Sequence, residues 1–242
     1  MTQIEKYKAF ILSLPSGNLS KEQLFVKELL LHEHQDMSIY YVPYEYVNEQ
    51  AKVMIIGITP GFTQMELAIR SAREDLLSGV PIDQIDRRAK KLASFAGSMR
   101  KNLIDMLDQI ELPAAIGLAS CAALFEEHRD LLHTTSAIRY PVFVHGKNYT
   151  GHSPPILKSD VLYRYAEGIL LPELLAVKDS LIIPLGKSVS EVVQAFVDKG
   201  LISKARCLFE MPHPSGANGH RKKQFELSKS AMQQQVWKWF SR

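Results

Sequence analysis

Two cysteines in 242 residues, Cys121 and Cys207, are too few for a four-thiolate zinc site or a usual iron-sulfur cluster, and they read as small buried hydrophobes. Long apolar runs are absent as well. Stretches such as Val53 to Ile58 fall far short of the ~18 residues that a membrane-crossing helix needs. The N-terminal apolar patch Ala9 to Leu14 is too short for a secretory signal, so the expected location is cytoplasmic. No glycine-rich dinucleotide fingerprint follows a strand-like run. Gly186-Lys187-Ser188 ends like a phosphate-binding loop, but Leu181 stands where the first glycine is required. No serine sits in a nucleophile elbow. His32 and His34 fall in a helix-like stretch, where a spacing of two points the rings apart, so no metal is expected. The sequons at Asn18 and Asn148 carry no weight in an unsecreted chain.

What remains is an ordinary globular composition, 46% apolar and 23% charged, in a length that suits one α/β domain. The net charge of +3 is small but unevenly spread. Residues 87–101 hold six cations and no acid, and residues 220–242 hold six cations against Glu226. These stretches carry +6 and +5, leaving −8 elsewhere. Such segregation suits a protein that turns one side to a phosphate backbone, although basic helical stretches are commonly just solvated faces.

The apolar periodicity predicts helices over 4–13, 20–34, 64–78, 83–110, 159–177 with a break at Pro172, 188–198, and from 219 to the C-terminus. Strand-like runs fall at Val53 to Ile58, Leu132 to Ile138, Leu181 to Gly186 and Ala205 to Met211, with Val142 to Val144 extending or edging the sheet. Strands alternating with helices predict a parallel sheet covered on both faces, with ligands at the carboxyl ends of its strands. Two of those ends are unusual. Thr59-Pro60-Gly61 turns the chain sharply and lets a flat ligand approach main-chain amides. Phe62 follows, placed to stack on a planar base. At the other end, Pro212 and Pro214 stiffen the loop around His213, whose imidazole can donate to an oxygen that is gaining negative charge.

Gly57-Ile58-Thr59-Pro60-Gly61 and His213-Pro214-Ser215 resemble the two signature motifs of the uracil-DNA glycosylase superfamily, nearest to its mismatch-specific and single-strand-selective branches. Thr134-Thr135-Ser136-Ala137 is similar to the second-strand motif of that superfamily, and Ile183 to Ser188 to its next strand-to-helix junction. The resemblance spans residues 53–220. It implies a three-layer α/β/α fold with a four-stranded parallel sheet, one domain over 1–242, and a helical N-terminal extension over 1–50. It also implies a monofunctional DNA repair hydrolase, without metal or cofactor, that flips a deaminated or damaged base out of DNA and cleaves its N-glycosidic bond. A monomer with DNA as partner and no membrane association is expected.

In the site so implied, Thr59 and His213 are catalytic. Gly57, Ile58, Pro60, Gly61, Phe62, Gln64 and Ser136 bind the base. Pro214, Ser215, Gly216 and Asn218 press into the DNA stack, while Arg221, Lys222 and Lys223 meet phosphates. Two positions depart from the family pattern. Thr59 stands where relatives carry a carboxylate or an amide to position water, and Ser136 stands where they carry a base-reading asparagine. These departures support a second reading, a weakly active or inactive protein of this fold that binds nucleic acid or a nucleobase. The low net charge leaves a small-molecule α/β enzyme as a third.

Overall fold

The computed structural model describes residues 3–241. In chain order it contains α1 (Gln3–Ser13), α2 (Lys21–Leu24), β1 (Leu30–His34), β2 (Met37–Tyr40), β3 (Val53–Gly57), α3 (Phe62–Leu77), α4 (Ile82–Ala93), α5 (Ser98–Gln109) and α6 (Leu112–Ala115). There follow β4 (Leu132–Ser136), β5 (Val142–Val144), β6 (Lys147–Asn148), α7 (Asp160–Tyr165), α8 (Leu171–Ala176), β7 (Leu181–Pro184), α9 (Lys187–Asp198) and α10 (Arg221–Phe240). The chain divides into two compact units, each built from separated segments. The first comprises Met1–Tyr46, Thr59–Ala96 and Ile138–Ser153, and the second Val47–Ile58, Gly97–Ala137 and Pro154–Arg242.

The second unit carries the parallel sheet, in the order β4-β3-β7. Its central strand, Val53-Met54-Ile55-Ile56-Gly57, is buried at every position. Such continuous burial requires an unbroken apolar run rather than alternation, and it is the mark of a parallel strand covered on both faces. Register pairs Val53 with both Leu132 and Leu181, so Gly57 lies beside Ser136 at the carboxyl edge. The expected fourth strand, Ala205 to Met211, is reduced to one parallel bridge between Ile182 and Cys207. Local chemistry explains the loss. Lys204–Arg206 forms a 3-10 turn, Glu210 has φ of 71°, and Pro212 has no amide hydrogen to donate to a ladder. Two backbone bonds nevertheless keep this segment beside β7: Leu208 N–H to Ile182 O at 2.8 Å and Gly186 N–H to Met211 O at 2.8 Å.

The first unit holds an antiparallel sheet in the order β1-β2-β5-β6, together with α1, α3 and α4. Here the periodicity misleads. Residues 20–34 are not one helix, and residues 1–50 are not a purely helical extension. The capping box at Ser20, closed by Gln23 Oε1 on the Ser20 amide at 2.8 Å, starts only the single turn of α2. Phe25 then leaves the helix to stack on Tyr40 at 5.0 Å and to pack at a tilt against Phe143 at 4.4 Å. Leu30–His34 pairs with Met37–Tyr40 across a turn in which Gln35 takes φ of 50°. Pairing with distant β5 thus overrides a local helical signal, and His32 and His34 lie on a strand. Val142–Val144 accordingly belongs to this antiparallel sheet rather than to the parallel one.

The predicted helix over 83–110 is two helices, parted where Phe95 and Gly97 adopt φ of 53° and 82°. Pro172 is accommodated at the start of α8 by a π-helical turn over Ala166–Leu170. The basic stretch 87–101 is not wholly a solvated face. Lys90 is only 2% exposed and donates to the carbonyls of Tyr44 and Tyr46, and Arg88 pairs with Asp75 at 2.8 Å. Arg242, at the end of the other basic stretch, lies outside the described residues. Cys121 and Cys207 are buried free thiols, as expected. Among the described residues no helix is long and apolar enough to cross a membrane, and no cluster of His, Cys, Asp or Glu is arranged to hold a metal ion.

Candidate functional site

In the second unit, the parallel sheet brings several predicted residues to one edge. Ser136 ends β4, Gly57 ends β3 with Ile58 just beyond it, and Gly186 follows β7 with Met211 bonded to its amide. His213 is two residues further on. Ser136 and Ile58 are half-buried, and Gly57 is buried. Gly186 has φ of 81° and ψ of 168°, a region essentially restricted to glycine. A side chain there would also meet His213, since an added Cβ would lie 3.1 Å from His213 Cβ. The glycine therefore makes room for the imidazole.

The state of that imidazole follows from its partners. The amide of Ser215 donates to His213 Nδ1 at 3.3 Å, so Nδ1 is the acceptor and the ring proton resides on Nε2. Burial pushes the His213 pKa down to about 4, because the charged ring loses its hydration without gaining an anionic partner. His213 is thus a neutral ring presenting an N–H donor.

The surrounding loop is tied down by its own polar groups. Asn102 Nδ2 donates to Pro214 O at 2.9 Å, and Asn218 Nδ2 donates to His213 O at 3.3 Å. Arg221 does not extend outward. Its guanidinium bonds Pro214 O at 3.2 Å and Ser215 O at 2.9 Å. Of the predicted phosphate contacts, Lys222 and Lys223 are exposed, as is Gly216 in the loop.

The remaining predicted residues belong to the first unit, where a different geometry prevails. Thr59 Oγ1 donates to Tyr140 O at 2.8 Å and accepts from Val142 N–H at 3.1 Å. The hydroxyl is a clamp between the turn and the residue 140–142 segment, and its only proton is occupied. Gly61 N–H donates to Gln64 Oε1 at 2.7 Å, which makes Gln64 a capping side chain for α3. Phe62 N–H donates to Asn148 Oδ1 at 3.0 Å. The amides expected to receive a base are therefore engaged by two side-chain carbonyls. A Cβ at position 61 would meet Asn148 Nδ2 at 3.0 Å, so glycine is needed there for the amide of Asn148 to lie against the backbone. Pro60 is buried. The Phe62 ring stands edge-on to Phe25 at 5.9 Å, with Lys21 Nζ 5.8 Å from its centroid.

Asn148, Asn102 and Tyr140 escaped the sequence reading. Asn148 offered only a sequon, and the backbone carbonyl of Tyr140 leaves no trace in composition or spacing.

Comparison with known proteins extends these observations. A family model described as the uracil DNA glycosylase superfamily matches residues 44–241. The chain is 46% identical over 225 residues to the uncharacterized protein YoxB of Bacillus subtilis (strain 168), covering 92% of this chain and 88% of that protein. The crystal structure of wild-type SMUG2 from Pedobacter heparinus superposes with a TM-score of 0.46 at 13% identity, over 97% of this chain and 98% of that one. The family match takes in the turn after β3, the β4 and β7 ends, the His213 loop and α10, and by it this chain belongs to the uracil-DNA glycosylase superfamily.

Proposed function

We propose that the protein is a monofunctional DNA glycosylase that takes a deaminated or damaged base out of DNA and hydrolyses its N-glycosidic bond. The observation that carries this reading is the hydrogen bond from the Ser215 amide to His213 Nδ1, which leaves Nε2 to carry the proton of a ring that burial keeps neutral. Negative charge gathers on a carbonyl oxygen of the base as the glycosidic bond breaks. A preorganised neutral donor stabilises that charge, and it does not compete as an acid for the substrate. Extrusion of the base costs a few kcal/mol, recovered through stacking and hydrogen bonds in the pocket that receives it.

Charge placement supports DNA as the partner. The first turn of α10 carries Arg221, Lys222 and Lys223 and no acid, although a helix N-terminus disfavours positive charge. A nearby polyanion offsets that penalty. Lys222 and Lys223 are the exposed members and are the phosphate contacts in this reading, while Arg221 braces the loop between them and His213. Thr59 retains one lone pair able to accept from a water. Without a carboxylate at that position, hydrolysis is slower by about 10² to 10³, the usual effect of losing one well-placed polar group.

One observation favours a second reading, in which a protein of this fold binds nucleic acid or a nucleobase without cleavage. The Thr59 hydroxyl and the Gly61 and Phe62 amides are all engaged by protein groups. Oligonucleotides carrying uracil, hypoxanthine, xanthine or an alkylated base, in single and double strands, separate the two. The glycosylase reading expects abasic product that is lost in His213→Ala. Absence of product at stoichiometric protein overturns it, and salt-dependent DNA binding without base release supports the second reading.

A further inference from the structure

Behind the Thr59 clamp, the first unit contains a buried acidic pair that plays no part in the reading above. Tyr140, whose carbonyl accepts from Thr59, donates its phenol proton to Glu45 Oε1 at 2.6 Å. Asp86 of α4 lies within hydrogen-bonding reach of Glu45. Each carboxyl keeps one fully buried oxygen that no donor satisfies, Oε2 of Glu45 and Oδ1 of Asp86. Two ionised carboxylates side by side can only repel and leave both oxygens unpaired. One added proton turns one carboxyl into a donor and the other into its acceptor, satisfying both together.

The neighbours are insufficient to hold a double negative charge. Tyr7 from α1 and Tyr41 from the same segment as Glu45 face the pair as neutral phenols, and burial raises both of their pKa values. The cations nearby are Arg139, which acts on both acids, and Lys90 of α4, which acts on Asp86 and donates to the Tyr44 and Tyr46 carbonyls. Desolvation outweighs both cations. It raises Asp86 and pushes Glu45 up to about 7.

We propose that Glu45 and Asp86 share one proton and, through Tyr140, hold the Thr59 hydroxyl in place, so that the Thr59 turn loosens when the pair loses that proton. Glu45 and Asp86 are positioning residues in this scheme, and they act whether or not a base is cleaved. Full ionisation drives the carboxylates apart and shifts the acceptor of the Tyr140 phenol, which displaces the carbonyl that Thr59 grips.

Carboxyl-carbon NMR of the whole protein tests the first half, and the Val142 amide, which donates to Thr59 Oγ1, tests the second. One carboxyl is expected to titrate near pH 7, with the Val142 resonance moving at the same midpoint. In Glu45→Gln both transitions vanish, while the amide still donates to Asp86 and the fold is kept. Stability supplies a second readout. Because the folded pair binds a proton that the unfolded chain releases, the pair's own contribution to the folding constant falls as pH rises from about 4.5 to 7, by up to about tenfold per pH unit. It is read as the ratio of the wild-type folding constant to that of Glu45→Gln, which removes it while leaving the opposing His213 contribution in both. Carboxyls that all titrate below about pH 5 overturn the shared proton, and a Val142 amide that ignores a neutral-pH carboxyl titration overturns the link to Thr59.

Discussion

Lowering the pH places the His213 assignment under direct strain. The ring is held neutral in the folded chain with a pKa of about 4, and it recovers an ordinary value near 6.5 on unfolding. Between those limits the unfolded chain binds a proton that the folded chain refuses. Stability contributed by this ring is therefore complete above pH 6.5 and is lost as pH falls toward 4. At 1.36 kcal/mol for each pH unit the full effect is about 3 kcal/mol, and partial exposure of the ring reduces it to about 2 kcal/mol. Urea denaturation of the wild type and of His213→Asn at pH 4.5 and pH 7.5 isolates it, since Asn still offers the Ser215 amide an acceptor oxygen. The wild type is expected to lose about 2 kcal/mol more than the variant on acidification. Long-range proton–nitrogen NMR adds the tautomer, with the proton on Nε2. A ring that titrates at pH 6 or above, or that carries its proton on Nδ1, refutes the neutral-donor account, and the proposed chemistry then lacks its electrophile.

Gly186→Ala combines a backbone conformation closed to alanine with a 3.1 Å approach to His213 Cβ. It is expected to cost about 1 to 3 kcal/mol in thermal or urea unfolding and to shift the His213 ring resonances. Unchanged stability with undisturbed ring resonances contradicts the close packing of these two residues. Thr59→Val removes a donor from the Tyr140 carbonyl and an acceptor from the Val142 amide, and it should destabilise by about 1 to 3 kcal/mol. Thr59→Ser, which restores the hydroxyl, should recover most of that loss. Hydrogen exchange at Val142 distinguishes the two variants, and equal protection in both excludes the clamp.

The legible part of this molecule is the part in which each element states its own environment. Val53 to Gly57 is continuously apolar because it is covered on both faces, and the short apolar runs beginning at Leu132 and Leu181 announce its two neighbours. The glycine and proline turns at those strand ends carry the family motifs, which is why His213, Gly57 and Ser136 could be placed at one edge from the sequence. The failures share a different cause. Residues 24–34 have helical spacing of leucines, but Leu30–His34 is drawn into a sheet by pairing with β2, which is itself paired with β5 more than a hundred positions later. Cys207 begins a strand that Glu210 and Pro212 prevent from continuing. Lys90 looks like part of a basic surface because its partners are backbone carbonyls, which no pattern of side chains reveals.

The same distinction governs Thr59. Its position in the motif invites a catalytic role, but a threonine hydroxyl has one proton and the Tyr140 carbonyl holds it. A carboxylate at position 59 would have no proton to offer that carbonyl and would set its negative charge against the negative end of the carbonyl dipole. The threonine and the 140–142 segment are therefore matched to each other, and catalytic support from residue 59 cannot be restored by changing that residue alone. Thr59→Asp, the simplest conversion to a family-like motif, should lower stability and release the Val142 amide to exchange before it changes any rate of base release. A stable Thr59→Asp protein with faster base release and an unaltered Val142 amide would show that the clamp is incidental and that threonine at 59 merely weakens an otherwise ordinary glycosylase.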